Sequence, residues 1–142
     1  FFAFRFLDQY TGRLDNFLDN YLKYGNVNFN DELLNEYKKL FIKNINLANK
    51  LFGEKAFRQY KEFRGKNKWS EPVRTIYDPM MQALTEYSEG DFDFNRISLE
   101  NRQELLENMY VSSNDIFNGK KQSKSDIQER IEIINNVLMQ LK

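Results

Sequence analysis

Neither cysteine nor histidine occurs in this 142-residue chain. Without cysteine there are no disulfides, thiolate nucleophiles or thiolate-ligated zinc, a usage compatible with a reducing cytoplasm, which is the expected compartment. Without histidine as well, Ser-His-Asp and Cys-His arrangements and the usual zinc sites are excluded. Carboxylates, Lys, Tyr or an oxygen-ligated Mg²⁺ would have to carry any catalysis, so the expectation is a non-catalytic chain with no cofactor and no metal. An excess of one charge sign is lacking too: 21 Lys and Arg balance 21 Asp and Glu. A whole-molecule attraction for polyanions is therefore missing, and any nucleic-acid surface must be local. No apolar run approaches the roughly 20 residues a membrane helix requires. Even the opening FFAFRFLDQY carries Arg5 and Asp8. That stretch has neither a basic leader nor a small-residue cleavage site, and it starts inside a hydrophobic pattern. The chain is accordingly expected to be a fragment of a larger protein, with no membrane partner.

What is present suits a compact core. Thirteen Phe, eight Tyr and one Trp supply large side chains for one domain spanning residues 1–142. Leu14, Phe17, Leu18, Tyr21 and Leu22 fall at helical spacing, with Thr11 and Gly12 before them and Gly25 as a stop. A longer helix is predicted from Asn30, a capping residue followed by Asp31 and Glu32, through Leu33, Leu34, Tyr37, Leu40, Phe41, Ile45, Ala48, Leu51 and Phe52 to a stop at Gly53. Its length of about 30 Å makes it a central post for its neighbours. Ser70 before Glu71-Pro72, and Asp78 before Pro79, read as two helix starts, so two short helices, or one broken near Tyr77, are expected. SEGDFDFNRIS reads as an exposed loop, and a helix with Leu99, Leu105, Leu106 and Met109 follows Ser98. SSNDIF starts a short helix, and NGKKQSKS is a polar connection. The last helix carries Ile127, Ile131, Ile134, Val137, Leu138 and Leu141 behind a capping box of Ser125 and Gln128. Val and Thr are scarce and no sustained alternation of period two appears. The predicted fold is all-α: six to eight helices of unequal length in a multi-helical orthogonal packing around the long central one.

One stretch departs from charge balance. Between Lys55 and Arg74, seven cations face only Glu62 and Glu71, a local net charge of plus five. Phe57, Tyr60, Phe63 and Trp69 sit among them. Cations draw phosphates and exposed rings stack on bases, so Arg58, Lys61, Arg64, Lys66, Lys68 and Trp69 are the candidate nucleic-acid-binding residues. A purely structural account of the same stretch makes Phe57 and Phe63 core anchors and leaves the cations to solvate a loop. Lys120, Lys121 and Lys124, beside Ser112, Ser113, Ser123 and Ser125, form a weaker cluster at a helix start. Glu86, Glu89, Asp91 and Asp93 read as a solvated acidic loop rather than a Mg²⁺ site. Tyr10, Tyr21 and Tyr37 read as core.

Taken in order, FFAFRFL, the pattern of Tyr10, Gly12, Phe17 and Leu18, LFGEKAFR from Leu51 to Arg58, and SKSDIQERIEII from Ser123 to Ile134 resemble the helical C-terminal half of the GmrSD-type, ParB/sulfiredoxin-like domain. That domain is the N-terminal module of modification-dependent restriction and anti-phage proteins. The family's Asp-Gly-Gln-Gln-Arg motif, which belongs to a mixed α/β portion ahead of the helices, does not occur here, so no catalytic residue is carried over. The family's HNH-type nuclease domain is likewise absent, and SEPVRTIYDP intervenes where its pattern runs directly into an apolar helix. The resemblance implies a non-catalytic helical subdomain of a restriction or phage-defence protein. It would pack against a missing N-terminal catalytic half, its first partner, and lend a basic surface to DNA, its second. The parent protein would be the nucleotide-hydrolysing nuclease. An independent helical protein-interaction module is the alternative, motivated by zero net charge and an aromatic-rich start.

Overall fold

The computed structural model describes residues 1–113 and 116–142. The chain is mostly helical, with one small antiparallel sheet. A 3₁₀ segment at Phe2–Gln9, kinked at Phe6, leads into α1 (Leu14–Asn28) and α2 (Asp31–Phe52). Two strands, β1 (Arg58–Phe63) and β2 (Lys66–Pro72), then form a hairpin. After α3 (Arg74–Ala83) come short 3₁₀ turns at Leu84–Glu86 and Glu89–Asp91, then α4 (Leu99–Ser112) and α5 (Lys124–Gln140). The all-α expectation is therefore corrected at one place, residues 58–72.

Local chemistry explains most of these boundaries. The side chain of Asn30 accepts a hydrogen bond from the Leu33 amide at 2.9 Å and caps α2 as expected. Gly53 ends that helix with φ 59° and ψ −141°, a conformation that only glycine adopts cheaply. Ser98 caps α4 in the same way through the Asn101 amide. Four expected boundaries move. The start expected at Ser70 falls inside β2, and α3 begins only at Arg74. Gly25 does not stop α1, which runs on to Asn28. The residue is small because the Phe29 ring folds back onto it, and a Cβ there would lie 2.8 Å from Phe29 Cε2. Pro79 starts no helix: α3 passes through it without the break expected at Tyr77. Burial of Ile76, Met80 and Met81 around Pro79 outweighs the one backbone bond that proline removes. The capping box of α5 is Ser123 with Asp126, not Ser125 with Gln128. The expected SSNDIF helix lies partly outside the described residues, and the described Ile116 and Phe117 are in a turn.

Buried side chains form two clusters. The larger gathers the C-terminal half of α2 (Leu47, Ala48, Leu51, Phe52) with Ile76, Met80 and Leu84, Leu106 and Tyr110, and the stripe of α5. The smaller holds Ala3, Phe4, Tyr10, Phe17 and Ile127, and Ile131 packs against both. Tyr10 is core as expected, its hydroxyl donating to the Gln122 carbonyl at 2.7 Å, whereas Tyr21 and Tyr37 are only half-buried. The N-terminal half of α2 thus stands outside the main core, and Leu34, Phe41 and Ile42 on it remain exposed.

Candidate nucleic-acid interface

The basic stretch folds as a hairpin because a sharp stop and a tight loop bracket it. Gly53 turns the chain out of α2, and the Val73 amide donates to the Phe57 carbonyl at 2.9 Å, closing the base. At the other end Arg64 and Gly65 take φ values of 53° and 76°. Two consecutive residues with positive φ match the twist of paired strands, the usual two-residue hairpin connection.

The register decides which side chains share a face. Tyr60 pairs with Trp69, Lys61 with Lys68, Glu62 with Asn67 and Phe63 with Lys66. Partners point the same way and neighbours alternate. Tyr60 and Trp69 therefore face the body, where the Trp69 indole meets Tyr110 edge-on at 6.0 Å and donates its N–H to Glu107 at 3.1 Å. Lys61, Lys66, Lys68 and Phe63 form the opposite, outward face. All residues from Lys61 to Lys68 are exposed, so the hairpin projects past the Tyr60–Trp69 pair as a finger.

Like charges directly opposed across strands are unfavourable, and here Lys61 faces Lys68. Among the described residues none of Lys61, Arg64, Lys66 and Lys68 is in an ion pair. Phe63, 47% exposed, carries Lys68 Nζ at 3.9 Å and Arg64 Cζ at 5.2 Å from its ring centroid. The result is an uncompensated cationic face built around an exposed aromatic ring.

Of the six residues singled out in the sequence, the structure gathers Lys61, Lys66 and Lys68 on one face and puts Arg64 at its apex. It sets Arg58 and Trp69 apart. Arg58 is half-buried at the base, its Nε without a partner among the described residues, and Trp69 lies on the inner face. Phe63 was assigned to the core in the structural account of this stretch and is instead on the outward face. Its alternation with Lys61 was the available signal, visible only once the segment is known to be a strand.

The other two clusters have their nearby backbone groups and some of their carboxylates engaged within the fold. Around Lys120, Lys121 and Lys124, the Asp126 amide is taken by Ser123 Oγ, the Lys120 amide by Asn118 and the Lys121 carbonyl by Arg130. In the acidic loop Glu89 pairs with Lys50, while Asp91 accepts from the Ser88 amide and hydroxyl, which hold its carboxyl below the usual range. No group of three metal-capable side chains converges among the described residues. A cleft of about 700 Å³ opens between α1 and α2, lined by Phe2, Tyr21, Leu22, Leu34 and Phe41. No described helix is long and apolar enough to cross a membrane. No protein-family model, curated protein or solved structure matches the chain.

Proposed function

We propose that this chain is a non-catalytic helical module that holds the phosphate backbone of nucleic acid with its β-hairpin, as the helical subdomain of a GmrSD-like restriction or phage-defence protein. The observation that carries the binding is the outward face of the finger: Lys61, Lys66 and Lys68 around Phe63, two of them directly opposed, none paired among the described residues. Such an arrangement gains most when a polyanion supplies the missing counter-charge, since each neutralised phosphate releases condensed counterions. The subdomain assignment rests on the resemblance of its motifs alone.

Fluorescence anisotropy with labelled oligonucleotides tests the binding. Three or four phosphate contacts give a slope of about −3 in log affinity against log salt. Replacing Lys61, Lys66 and Lys68 together by Ala is expected to abolish most of that slope while leaving the thermal transition in place, because all three side chains are exposed. Undetectable binding at low salt, or binding unchanged in the triple variant, sinks the proposal.

A second reading is favoured by one observation. Leu22 on α1 and Leu34 on α2 are 61% and 48% exposed and line the cleft between the helices. Apolar surface of this kind suits a protein partner, which in the GmrSD-like reading is the rest of the parent protein. Clean monomeric sedimentation without binding of an apolar dye speaks against it.

A further inference from the structure

Arg64 is the one non-glycine residue with positive φ among those described. L-residues with a Cβ resist that region, and a loop of this kind favours Asn, Asp or Gly at its first position. An arginine there works against the turn; within the described structure it makes no ion pair, and its one aromatic contact is with the Phe63 ring. Strain of this sort at an exposed apex points to a demand from outside the fold. We infer that Arg64 is the base-reading residue of this hairpin, carried into the major groove of duplex DNA, an inference that rests on the nucleic-acid reading given above.

Three features select that target. First, the finger has the right dimensions. The three residue pairs beyond Tyr60–Trp69 project about 10 Å at the rise of a strand, with the two-residue loop past them. A B-form major groove, about 12 Å wide and 8.5 Å deep, admits a two-stranded ribbon. The narrow major groove of duplex RNA does not. Second, Phe63 serves as a pedestal. Arg64 and Lys68 both lie against its ring, which gives the guanidinium a seat next to the apex on the outward face. A base stacking on that ring would have to displace a cation, which disfavours single strands. Third, the charges are ordered along the finger. Lys61, Lys66 and Lys68 lie behind the apex on the outward face, placed for phosphates at the groove wall. Glu62, the one carboxylate of the finger, lies with Asn67 on the other face. A guanidinium presented this way makes two parallel hydrogen bonds to guanine O6 and N7.

The experiment uses the full chain with four labelled oligonucleotides: a guanine-rich DNA duplex, the same duplex with 7-deazaguanine, one of its single strands, and an RNA duplex. Wild type is expected to prefer the guanine-rich DNA duplex, and loss of N7 is expected to weaken it roughly tenfold. Arg64→Asn suits the turn, so it is expected to raise Tm by about 2 to 4 °C while lowering affinity for the guanine duplex to the 7-deazaguanine level. Arg64→Lys keeps the charge and should lose the discrimination between the two duplexes. The inference is overturned, with the backbone-binding proposal intact, if binding occurs but favours the single strand or RNA, ignores 7-deazaguanine, or is unchanged in Arg64→Asn. If no oligonucleotide binds, both fall.

Discussion

Arg102 closes the end of α2 by donating Nε–H to the Leu51 carbonyl at 2.9 Å, with a second bond from Nη2 to the Lys50 carbonyl at 3.3 Å. Its Nη1 reaches the carbonyls of Ile97 and Phe94 ahead of α4. One nearly buried cation therefore meets the negative end of the long helix and ties it to the loop that starts another. The position where α2 stops also fixes where the hairpin begins.

Arg102→Ala is expected to cost about 3 kcal/mol, since it leaves several carbonyls without their charged donor. Arg102→Lys retains the charge but not the fork and should recover only part of the loss. Chemical denaturation of both variants measures this. Equal stability of Arg102→Ala and wild type would show that water replaces the guanidinium without penalty.

At Gly53 the obstacle is backbone conformation rather than space. An added Cβ would lie 3.4 Å from Gln103 Nε2 and 3.7 Å from Leu99 Cδ2, tight but tolerable. The φ of 59° with ψ of −141° is nonetheless glycine territory. Gly53→Ala is expected to destabilise the fold by about 1 to 3 kcal/mol, readable as a lowered Tm. It should also loosen the base of the hairpin, seen as faster amide exchange at Val73.

Lys43 is held by three carbonyls, those of Leu84, Thr85 and Tyr87 at 3.3, 3.0 and 2.7 Å. Burial lowers its pKa, against which Glu86 acts. Lys43→Met keeps the stem and removes the donors, so a loss of about 2 kcal/mol is expected. Hydrogen exchange should localise it to the turn at 84–87 and spare the hairpin.

Acid is expected to weaken two capping boxes. The Ser123 hydroxyl and amide hold the Asp126 carboxyl below its ordinary value, and the Ser88 amide and hydroxyl do the same for Asp91. A carboxyl whose folded-state pKa is depressed stabilises the fold at pH above the unfolded value, near 4. That contribution is lost as pH falls through the folded value. Stability measured from pH 6 down to 2 should therefore drop, and the drop should be shallower in Asp126→Asn. An unchanged acid limb would remove this cap from the account.

Much of the helical frame was legible because it depends on neighbours along the chain. Asn30, Ser98 and Gly53 announce helix ends through their own side chains or lack of one, and the α5 stripe from Ile127 to Leu141 reads directly as a buried face. The hairpin was not legible as such. Its strands hold Lys, Arg, Glu and Gln where β-branched residues usually mark a sheet, because the outward face serves no core. The available signals were a Gly in second place of a two-residue loop and aromatics on the inner side. Neither competes with a helical pattern until the partner strand is known.

The sequence by itself determined the chemistry at hand: no thiol, no imidazole, balanced charge, and one basic stretch from Lys55 to Arg74 that stands out from it. It also determined the helix ends at Asn30, Gly53 and Ser98, which are local. Only the tertiary structure decided how that stretch divides, because residues join one face through pairing across a turn, and pairing is non-local. Trp69 went inward to Tyr110 and Glu107, while Phe63 went outward beneath Lys68 and Arg64. A string of alternating cations and rings became a finger with a cationic face and a strained arginine at its tip.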